Sequence, residues 1–298
     1  MLKFKTIKDE EECRKLWNIF STKEVLWDLW NFRYCFHSNR FKFNFVLGLE
    51  GKKQVGILPL VYDKENDTYT YFGDMFPEQN KFFLKDKKNI THFLEHSPEG
   101  TSLYYIDSNE DKYYAFIKGE KRYFLNLKKF ENSFENYFNS FTKKHRKNLR
   151  YDLRKLKERG YELVKNNVKD FERLVILNKL RFGKDSDYKD KNFVLNMKKI
   201  IDIAKKSDIL DMISIKIDNK TEVVGLGIFY NKCYYVLGSG RNVEIKNLGK
   251  LLIAEQIRSA ISHECNEIDF LSAESKWKEL WNFDSEQMYE YHDESIEI

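Results

Sequence analysis

The sequence has little of what would mark several common classes of protein. Its 298 residues include only three prolines and 13 glycines, with no low-complexity tract, which argues against long disordered linkers. The four cysteines are far apart and form no Cys-x-x-Cys pair, so neither a disulfide framework nor a structural zinc site is expected. We interpret them as buried free thiols.

Long apolar runs and several signature motifs are also missing. No run approaches the ~20 apolar residues of a membrane span, and the first residues lack the apolar stretch of a secretory signal, so we expect a cytoplasmic protein. The chain has neither a Gly-x-Ser-x-Gly elbow nor a P-loop, which disfavours a serine hydrolase or a P-loop NTPase. Among the histidines only His92 and His96 have a metal-like spacing, without the carboxylate motif of a metalloprotease, and no metal is expected.

Positive charge is concentrated in one segment. The net charge of +5 is too low for a dedicated nucleic-acid binder, but residues 143–159 carry nine Lys or Arg against two acids. Leu149, Leu153 and Leu156 mark one face of this segment. Because Thr142 suits a helix start and Gly160 a helix end, the segment predicts an amphipathic basic helix.

Two similar β-rich phrases predict a duplicated fold. Apolar periodicity predicts two opening helices within residues 11–38, and residues 42–73 then predict a hairpin continued into a third strand, an antiparallel meander. A related phrase returns at residues 212–240, again preceded by helical segments. We expect an α+β protein of two tandem domains, 1–129 and 130–298, each a mixed, mostly antiparallel sheet flanked by helices. Chance similarity of two Gly-turn hairpins is the alternative.

The segment after the second meander predicts a β-α-β crossover. The stretch "NLGKLLIAEQIRSAISHECN" has an apolar helical stripe, the stretch "EIDFLSA" reads as a short strand, and a closing helix is predicted to begin at Ser275. The loop at residues 246–252 enters the long helix, where unpaired N–H groups and the helix dipole favour an anion such as pyrophosphate. The alternative is an ordinary helix start with solvated lysines.

The order of these elements resembles the GNAT acyltransferase fold. Three segments resemble its tandem branch, which includes the Fem peptidyltransferases and the acetyltransferases related to the cellulose-biosynthesis protein CelD. They are the first-half phrase "VGILPLVYDKENDTYTYFGD", the basic helix, and the stretch from "NLGKLL" to "KELWNF". The resemblance implies transfer of an acetyl or other acyl group from acyl-coenzyme A to an amine, on an amino sugar or another cell-envelope precursor.

The resemblance also assigns residues to the donor. The implied coenzyme A contacts are Leu237, Gly238, Lys246, Asn247, Leu248, Gly249 and Lys250. The sequence departs from the family's Gln/Arg-x-x-Gly-x-Gly motif, because the aligned positions are Glu244, Asn247 and Gly249. A carboxylate at position 244 is unfavourable beside a pyrophosphate, which leaves an aminoacyl-tRNA donor open.

The implied catalytic set lies on the same crossover. Oxyanion contacts are expected from backbone N–H groups of the strand at residues 234–240, and the candidate catalytic residues are Asp269, Glu274, Lys278 and Tyr235. Lys278 stands three residues before Trp281, as a lysine does before an aromatic-Gly pair in Fem relatives, although Asn282 replaces the glycine. The alternatives are a solvent-facing Asp269, a Glu274 that only favours the helix start, and an exposed Lys278.

The basic helix provides the candidate phosphate-binding residues. The substrate- or phosphate-binding candidates are His145, Arg146, Arg150, Arg154 and Trp281, with a merely solvated helix face as the alternative. No DNA partner is implied. Two other functions stay open for the chain: an aminoacyl-tRNA-dependent peptidyltransferase of the Fem type, in which tRNA is the partner, and a GNAT-like binding module without catalysis.

Overall fold

The computed structural model describes residues 2–272 and 276–293 of the chain. These residues form two compact units. The first unit comprises residues 2–122, residue 272 and residues 285–293, and the second comprises residues 123–271 and 276–284. The domain limits expected from the duplication, 1–129 and 130–298, stay a prediction.

Strands and helices are numbered here from the N-terminus. The strands are β1 Leu2–Ile7, β2 Phe41–Phe43, β3 Phe45–Glu50, β4 Lys53–Leu58, β5 Leu60–Asp63, β6 Thr68–Tyr71, β7 Phe83–Leu84, β8 Ser102–Ile106, β9 Ile117–Asn126, β10 Glu162–Lys165, β11 Leu210–Ile217, β12 Lys220–Tyr230, β13 Cys233–Arg241, β14 Glu267–Asp269 and β15 Asp284–His292. The helices are α1 Glu10–Phe20, α2 Trp30–Tyr34, α3 Ile90–Glu95, α4 Phe134–Asn139, α5 Lys143–Arg159, α6 Asp170–Phe182, α7 Lys191–Lys206, α8 Leu248–Ser262 and α9 Lys276–Leu280. Short 3-10 turns lie at Leu26–Asp28, Lys87–Asn89, Ser108–Tyr113, Leu127–Phe130, Gly183–Asp185 and Asp187–Lys189.

The opening of the first unit differs in part from the prediction. The first predicted helix is α1, which begins where the Asp9 side chain accepts a hydrogen bond from the backbone N–H of Glu12 at 2.9 Å. The second predicted helix is wrong as a single element, because this segment is a 3-10 turn followed by the short α2. Strand β1, which precedes α1 and pairs antiparallel with β3, was not predicted.

The meander expected in the first unit is wrong, because a proline divides it. Strands β3 and β4 form the predicted hairpin, with Gly48 opposite Gly56. Pro59 then separates β4 from β5, and a proline has no N–H with which to continue a strand ladder. Strand β5 therefore pairs with β2 and β6 in a sheet of their own, while β4 pairs with β3 and β7.

The second unit contains the predicted meander and crossover. Strands β11, β12 and β13 pair antiparallel in that order, and β13 then pairs in parallel with β14 after the crossover through α8. The last residues of β9 pair antiparallel with the other edge of β14. The α8 helix buries Ala254, Ile257 and Ala260 in the main core of this unit, together with Tyr234 and Ile268 from the sheet.

The basic helix forms as predicted. The Thr142 hydroxyl accepts a hydrogen bond from the backbone N–H of His145 at 3.3 Å, and Gly160 ends α5 with a positive φ of 81°. Leu149 and Leu156 are buried, whereas most of the charged side chains of the helix are exposed. Leu149 and Leu156 therefore pack this helix into the core of the second unit.

The closing part of the chain is helical only briefly. The predicted closing helix is α9, and Ser275, its predicted first residue, lies outside the described residues. The chain then returns to the first unit as β15, a strand that was not predicted, and pairs antiparallel with β8. Across the residues that the structure describes, no helix combines the length and the apolar character needed to cross a membrane.

Candidate functional site

A wedge opens in the second unit where two parallel strands separate. Strands β13 and β14 pair only from Cys233 to Tyr235, opposite Glu267 to Asp269. Strand β14 ends at Asp269, but β13 continues as far as Arg241. The edge of β13 beyond Tyr235 therefore has no partner in β14, and its backbone groups border an open space.

A β-bulge lies at the start of this wedge. Val236 pairs with Gly227 and Gly238 pairs with Leu226, so Leu237 is an extra residue without a partner in β12. An extra residue at a bulge is left out of the strand ladder, and bulges are frequent beside active sites. The sequence resemblance implied backbone donors on this strand, and the bulge singles out Leu237 as the residue without a ladder partner in β12.

The wedge leads into a cavity of about 650 Å³ that lies wholly within the second unit. Its walls come from α5, the end of α6, β13, the first half of α8, the turn after β14, and α9. The lining residues are His145, Asn148, Leu149, Arg181, Phe182, Val236, Leu237, Gly238, Ser239, Arg241, Asn247, Gly249, Lys250, Leu252, Ile253, Gln256, Phe270, Leu271, Trp277, Leu280 and Trp281. The volume is in the range typical of small-molecule sites.

The first turn of α8 forms a polar part of the cavity wall. Asn247 precedes the helix in the left-handed region, with φ 67°, and no side chain caps the helix start. The first N–H groups of a helix lack partners inside the helix and lie at the positive end of its dipole. Lys250 also lines the cavity, but its ammonium group is paired with Asp152 at 2.5 Å.

Two guanidinium groups line the same part of the wall. A Cβ atom on Gly249 would lie 3.4 Å from Cδ and Nε of Arg241, so the Arg241 side chain runs directly over the first turn of α8. Burial and, secondarily, the nearby charge of Arg241 lower the pKa of Arg181. Within residues 2–272 and 276–293, neither guanidinium group forms a hydrogen bond or an ion pair with the protein. Two neighbouring positive charges without a counter-charge favour the binding of an anion.

Three predicted catalytic residues lie beside the cavity and do not line it. The Asp269 carboxylate is 1% exposed and accepts a hydrogen bond from the N–H of Leu271 at 2.7 Å. The buried Lys278 ammonium donates to the carbonyl of Leu271 at 3.1 Å and lies 4.8 Å from the ring centroid of Tyr123. Tyr235 is also buried, at 1% exposure. Asp269 and Lys278 thus support Leu271, a cavity residue with a positive φ of 61°.

Of the predicted donor-binding residues, Leu237, Gly238, Asn247, Gly249 and Lys250 line the cavity. The other two do not. Lys246 is exposed, and Leu248 is buried in the core cluster beneath α8. Glu274, the remaining predicted catalytic residue, lies outside the described residues.

The basic helix contributes less to the cavity than its charge suggests. Of its four predicted phosphate-binding residues only His145 lines the cavity, as does the predicted Trp281, which directly follows α9. Arg146 donates to the carbonyl of Asn139 at 2.9 Å. The two remaining arginines form ion pairs, Arg150 with Glu135 at 3.0 Å and Arg154 with Glu158 at 3.5 Å.

Sequence reasoning missed several residues of the wall, including Arg181, Arg241, Gln256, Phe270 and Trp277. Arg181 ends a helix and Arg241 ends a strand, some 60 residues apart in sequence, and only the packing of α6 on β13 brings them together. The sequence did offer one signal: each arginine follows an apolar segment and lies at the C-terminal end of its helix or strand. Within the described part of the chain, no group of three or more His, Cys, Asp or Glu side chains is arranged to hold a metal ion.

Comparison with known proteins shows what this part of the chain is similar to. Residues 143–279 match the family model described as an acetyltransferase (GNAT) domain. FemX has a similar fold, with a TM-score of 0.63 and 11% identity over 97% of this chain and 96% of that one. A comparison with curated protein sequences gives no match.

Two further solved structures have the same fold. A tandem GNAT protein from the clavulanic acid biosynthesis pathway matches with a TM-score of 0.56 and 11% identity over 100% of both chains. L-PGS from Bacillus licheniformis matches with a TM-score of 0.57 and 9% identity over 95% of this chain and 91% of that one. Residues 143–279 therefore resemble a GNAT acetyltransferase domain, and the chain has a fold similar to that of the tandem GNAT protein, which confirms the resemblance noted in its sequence.

Proposed function

We propose that the protein transfers an acyl group from an acyl-coenzyme A to an amine acceptor, and that the reaction takes place in the cavity of the second unit. The observation that carries this proposal is the combination of an uncompensated arginine pair with a bulged, half-unpaired strand on one cavity wall. The first feature suits a phosphate-bearing donor, and the second suits the oxygen of a reacting carbonyl.

The donor phosphates would be held by Arg181, Arg241 and the first turn of α8. The residues present fit such a group, because the guanidinium charges have no acidic partner among the described residues and the helix start has no side-chain cap. Guanidinium groups form strong, often bidentate hydrogen bonds with phosphate oxygens. When bound, acyl-coenzyme A would supply the acyl group as a thioester, whose C–S bond breaks as the new amide C–N bond forms, so that coenzyme A would leave as its thiol.

The transfer requires stabilisation of a developing negative charge. When an amine attacks the carbonyl carbon, the carbonyl oxygen becomes an oxyanion, and donors aimed at it in advance lower the barrier. We assign this role to the backbone N–H of Leu237, since Leu237 is the extra residue of the bulge and lines the cavity. Loss of one such donor typically lowers kcat about 10²–10³-fold.

The transfer also requires a base, because the attacking amine must lose a proton. Among the described side chains of the cavity wall, His145 carries the imidazole, the side chain most often used as a general base, and the other ionisable ones are arginine and lysine. We assign His145 as the group that accepts the amine proton. The alternative base Asp269 is less well suited, because its carboxylate binds the N–H of Leu271 and does not line the cavity.

Calorimetric titration of coenzyme A and acetyl-coenzyme A tests this proposal. Arg241→Ala and Arg181→Ala are each expected to weaken binding about tenfold or more, as expected for the loss of charge-assisted hydrogen bonds. Arg154→Ala is the matched control: it removes one arginine from the exposed side of α5, where it pairs with Glu158, and should leave binding unchanged. The proposal fails if the wild-type protein binds no coenzyme A species. It also fails if Arg241→Ala and Arg181→Ala bind coenzyme A with the same affinity as the control Arg154→Ala.

Aminoacyl-tRNA-dependent transfer is the second candidate function, and the exposed basic face of α5 favours it. Lys143, Lys144 and Lys147 are exposed on this face, and a polyanion would contact them. This candidate predicts tRNA binding that weakens steeply with salt and no affinity for coenzyme A.

A binding module without catalysis would bind ligand in the cavity but would keep its cellular role when His145 is replaced. For the acyl-coenzyme A-dependent reaction, we propose an amino sugar or another cell-envelope precursor as the natural acceptor, as the sequence resemblance suggests.

A further inference from the structure

One part of the cavity wall is aromatic and aliphatic. Phe270 and Trp281 are buried, at 5% and 4% exposure, and Trp277 lies with its ring centroid 6.1 Å from that of Phe270. Leu149 of α5 belongs to the same core cluster, and Ile253 of α8 packs against it. All five line the cavity, so a continuous apolar surface faces the ligand space.

Along β13, the bulge lies between this apolar surface and the arginine pair. The arginines sit at the end of β13 and over the first turn of α8, whereas Ile253 is one turn further along α8. Phe270 directly follows Asp269, which pairs with Tyr235 at the point where β13 and β14 separate. A donor with its phosphates at the arginines and its carbonyl at Leu237 would therefore direct its acyl group toward Phe270, Trp277 and Trp281.

An acetyl group is too small to cover this surface. It has a single methyl carbon beyond its carbonyl, and the rest of the apolar wall would then face water that finds few hydrogen-bond partners there. Apolar surface left wet forfeits about 25 cal/mol per Å². We propose that this end of the cavity holds an aliphatic chain of several carbons, carried most directly by the acyl group of the donor. This inference rests on the proposed function, and it makes the transferred group larger than acetyl.

An aliphatic chain on the amine acceptor would fit the same surface, so the experiment has two arms. The full-length protein is titrated by calorimetry with coenzyme A, with its acetyl, butanoyl, hexanoyl and octanoyl thioesters, and separately with straight-chain amines of the same lengths. Affinity is expected to rise about fourfold per methylene until the pocket is full, because burial of one CH₂ contributes about 0.8 kcal/mol.

Two variants of α8 locate the effect. Ile253→Phe adds volume to the cavity wall and is expected to lower the affinity for the octanoyl thioester at least tenfold without changing that for coenzyme A. Ile261→Phe is the matched control, because Ile261 is a partly buried residue of the same helix that packs against the same core cluster without lining the cavity. A melting curve for each variant shows that both are folded.

The outcomes are distinguishable. A rising affinity in the thioester series that Ile253→Phe abolishes supports the acyl group as the carrier. If affinity stays constant along the thioester series but rises along the amine series, and Ile253→Phe abolishes that rise, then the cavity binds an aliphatic chain. In that case the chain belongs to the amine acceptor, and the acyl group is overturned as its carrier. Flat series in both arms overturn the inference, while binding of acetyl-coenzyme A would still support the proposed function. If no coenzyme A species binds, the proposed function fails, and the assignment of the acyl group as carrier fails with it.

Discussion

Gly238, in the bulged part of β13, lies beneath a tyrosine that leaves no room for a side chain. A Cβ atom on Gly238 would overlap the hydroxyl oxygen of Tyr188, whereas the next nearest atom, Cζ of the same ring, would be 3.6 Å away. The clash is thus with one oxygen atom. Tyr188 is buried, and its hydroxyl has no hydrogen-bond partner among the described residues. We expect Gly238→Ala to destabilise the protein and Tyr188→Phe to rescue it.

The size of the effect follows from this geometry. Forcing one extra methyl into a packed site typically costs about 1–3 kcal/mol. The backbone adds no strain, because Gly238 does not have a positive φ. Tyr188→Phe alone removes a buried hydroxyl without a partner and is expected to be neutral or stabilising. In the double variant the Cβ would meet Cζ at an ordinary contact distance, so its stability should approach that of Tyr188→Phe.

Urea unfolding of the wild type, both single variants and the double variant measures this coupling as a double-mutant cycle. We expect a coupling free energy of about 1–2 kcal/mol between the two positions, with a matching recovery of Tm of a few degrees. If Gly238→Ala is harmless, or if the double variant is as unstable as Gly238→Ala, then the close packing of Tyr188 on the bulge is wrong, and so is the wall of the cavity at that point.

Further predictions concern the base, the Leu271 turn and the buried thiols. His145→Gln should lower kcat about 10²–10⁴-fold with coenzyme A affinity unchanged. Asp269→Ala should instead lower the free energy of unfolding by about 1–3 kcal/mol, because it leaves the N–H of Leu271 without its acceptor; a large loss of kcat at full stability would make Asp269 the base. Burial raises the pKa of Cys13 to about 12 and that of Cys265 to about 11. Both thiols should therefore resist alkylation at pH 8 until the protein unfolds, and stability should fall as the pH rises above about 9, where only the unfolded chain readily forms thiolates. Fast labelling of Cys13 or Cys265 in the native protein, located by mass spectrometry and distinguished from labelling of the partly exposed Cys233, would contradict this.

The second unit was easier to predict than the first because its elements have strong local signals. The basic helix has a hydroxyl residue at its start, a glycine at its end and a leucine stripe between them, and all three act within a few residues of each other. The β13-α8-β14 crossover likewise follows from an apolar helix between two short β-rich segments. Local capping and periodicity therefore sufficed for the elements that carry the site.

The misses have a different physical origin, since they depend on which strands become neighbours. Strand β1 forms by pairing with β3, from Ile7 with Phe45, 38 residues apart, to Leu2 with Glu50, 48 residues apart. Strand β15 forms by pairing with β8, from which it is separated by most of the chain. The effect of Pro59 on sheet membership depends on the partners available on each side. The anion site is missed for the same reason, because Arg181 and Arg241 meet only through packing of α6 on β13, whereas the conspicuous arginines of α5 pair with nearby acids.

The central claim is that the donor binds at the end of β13 and the start of α8. Hydrogen–deuterium exchange of the full-length protein, with and without saturating coenzyme A, tests it most directly. We predict slower exchange at residues 236–241 and at the first turn of α8, with unchanged exchange in the second half of α5, residues 150–159, and in the first unit. Protection confined to α5 or to the first unit, or no protection at all, would contradict the account.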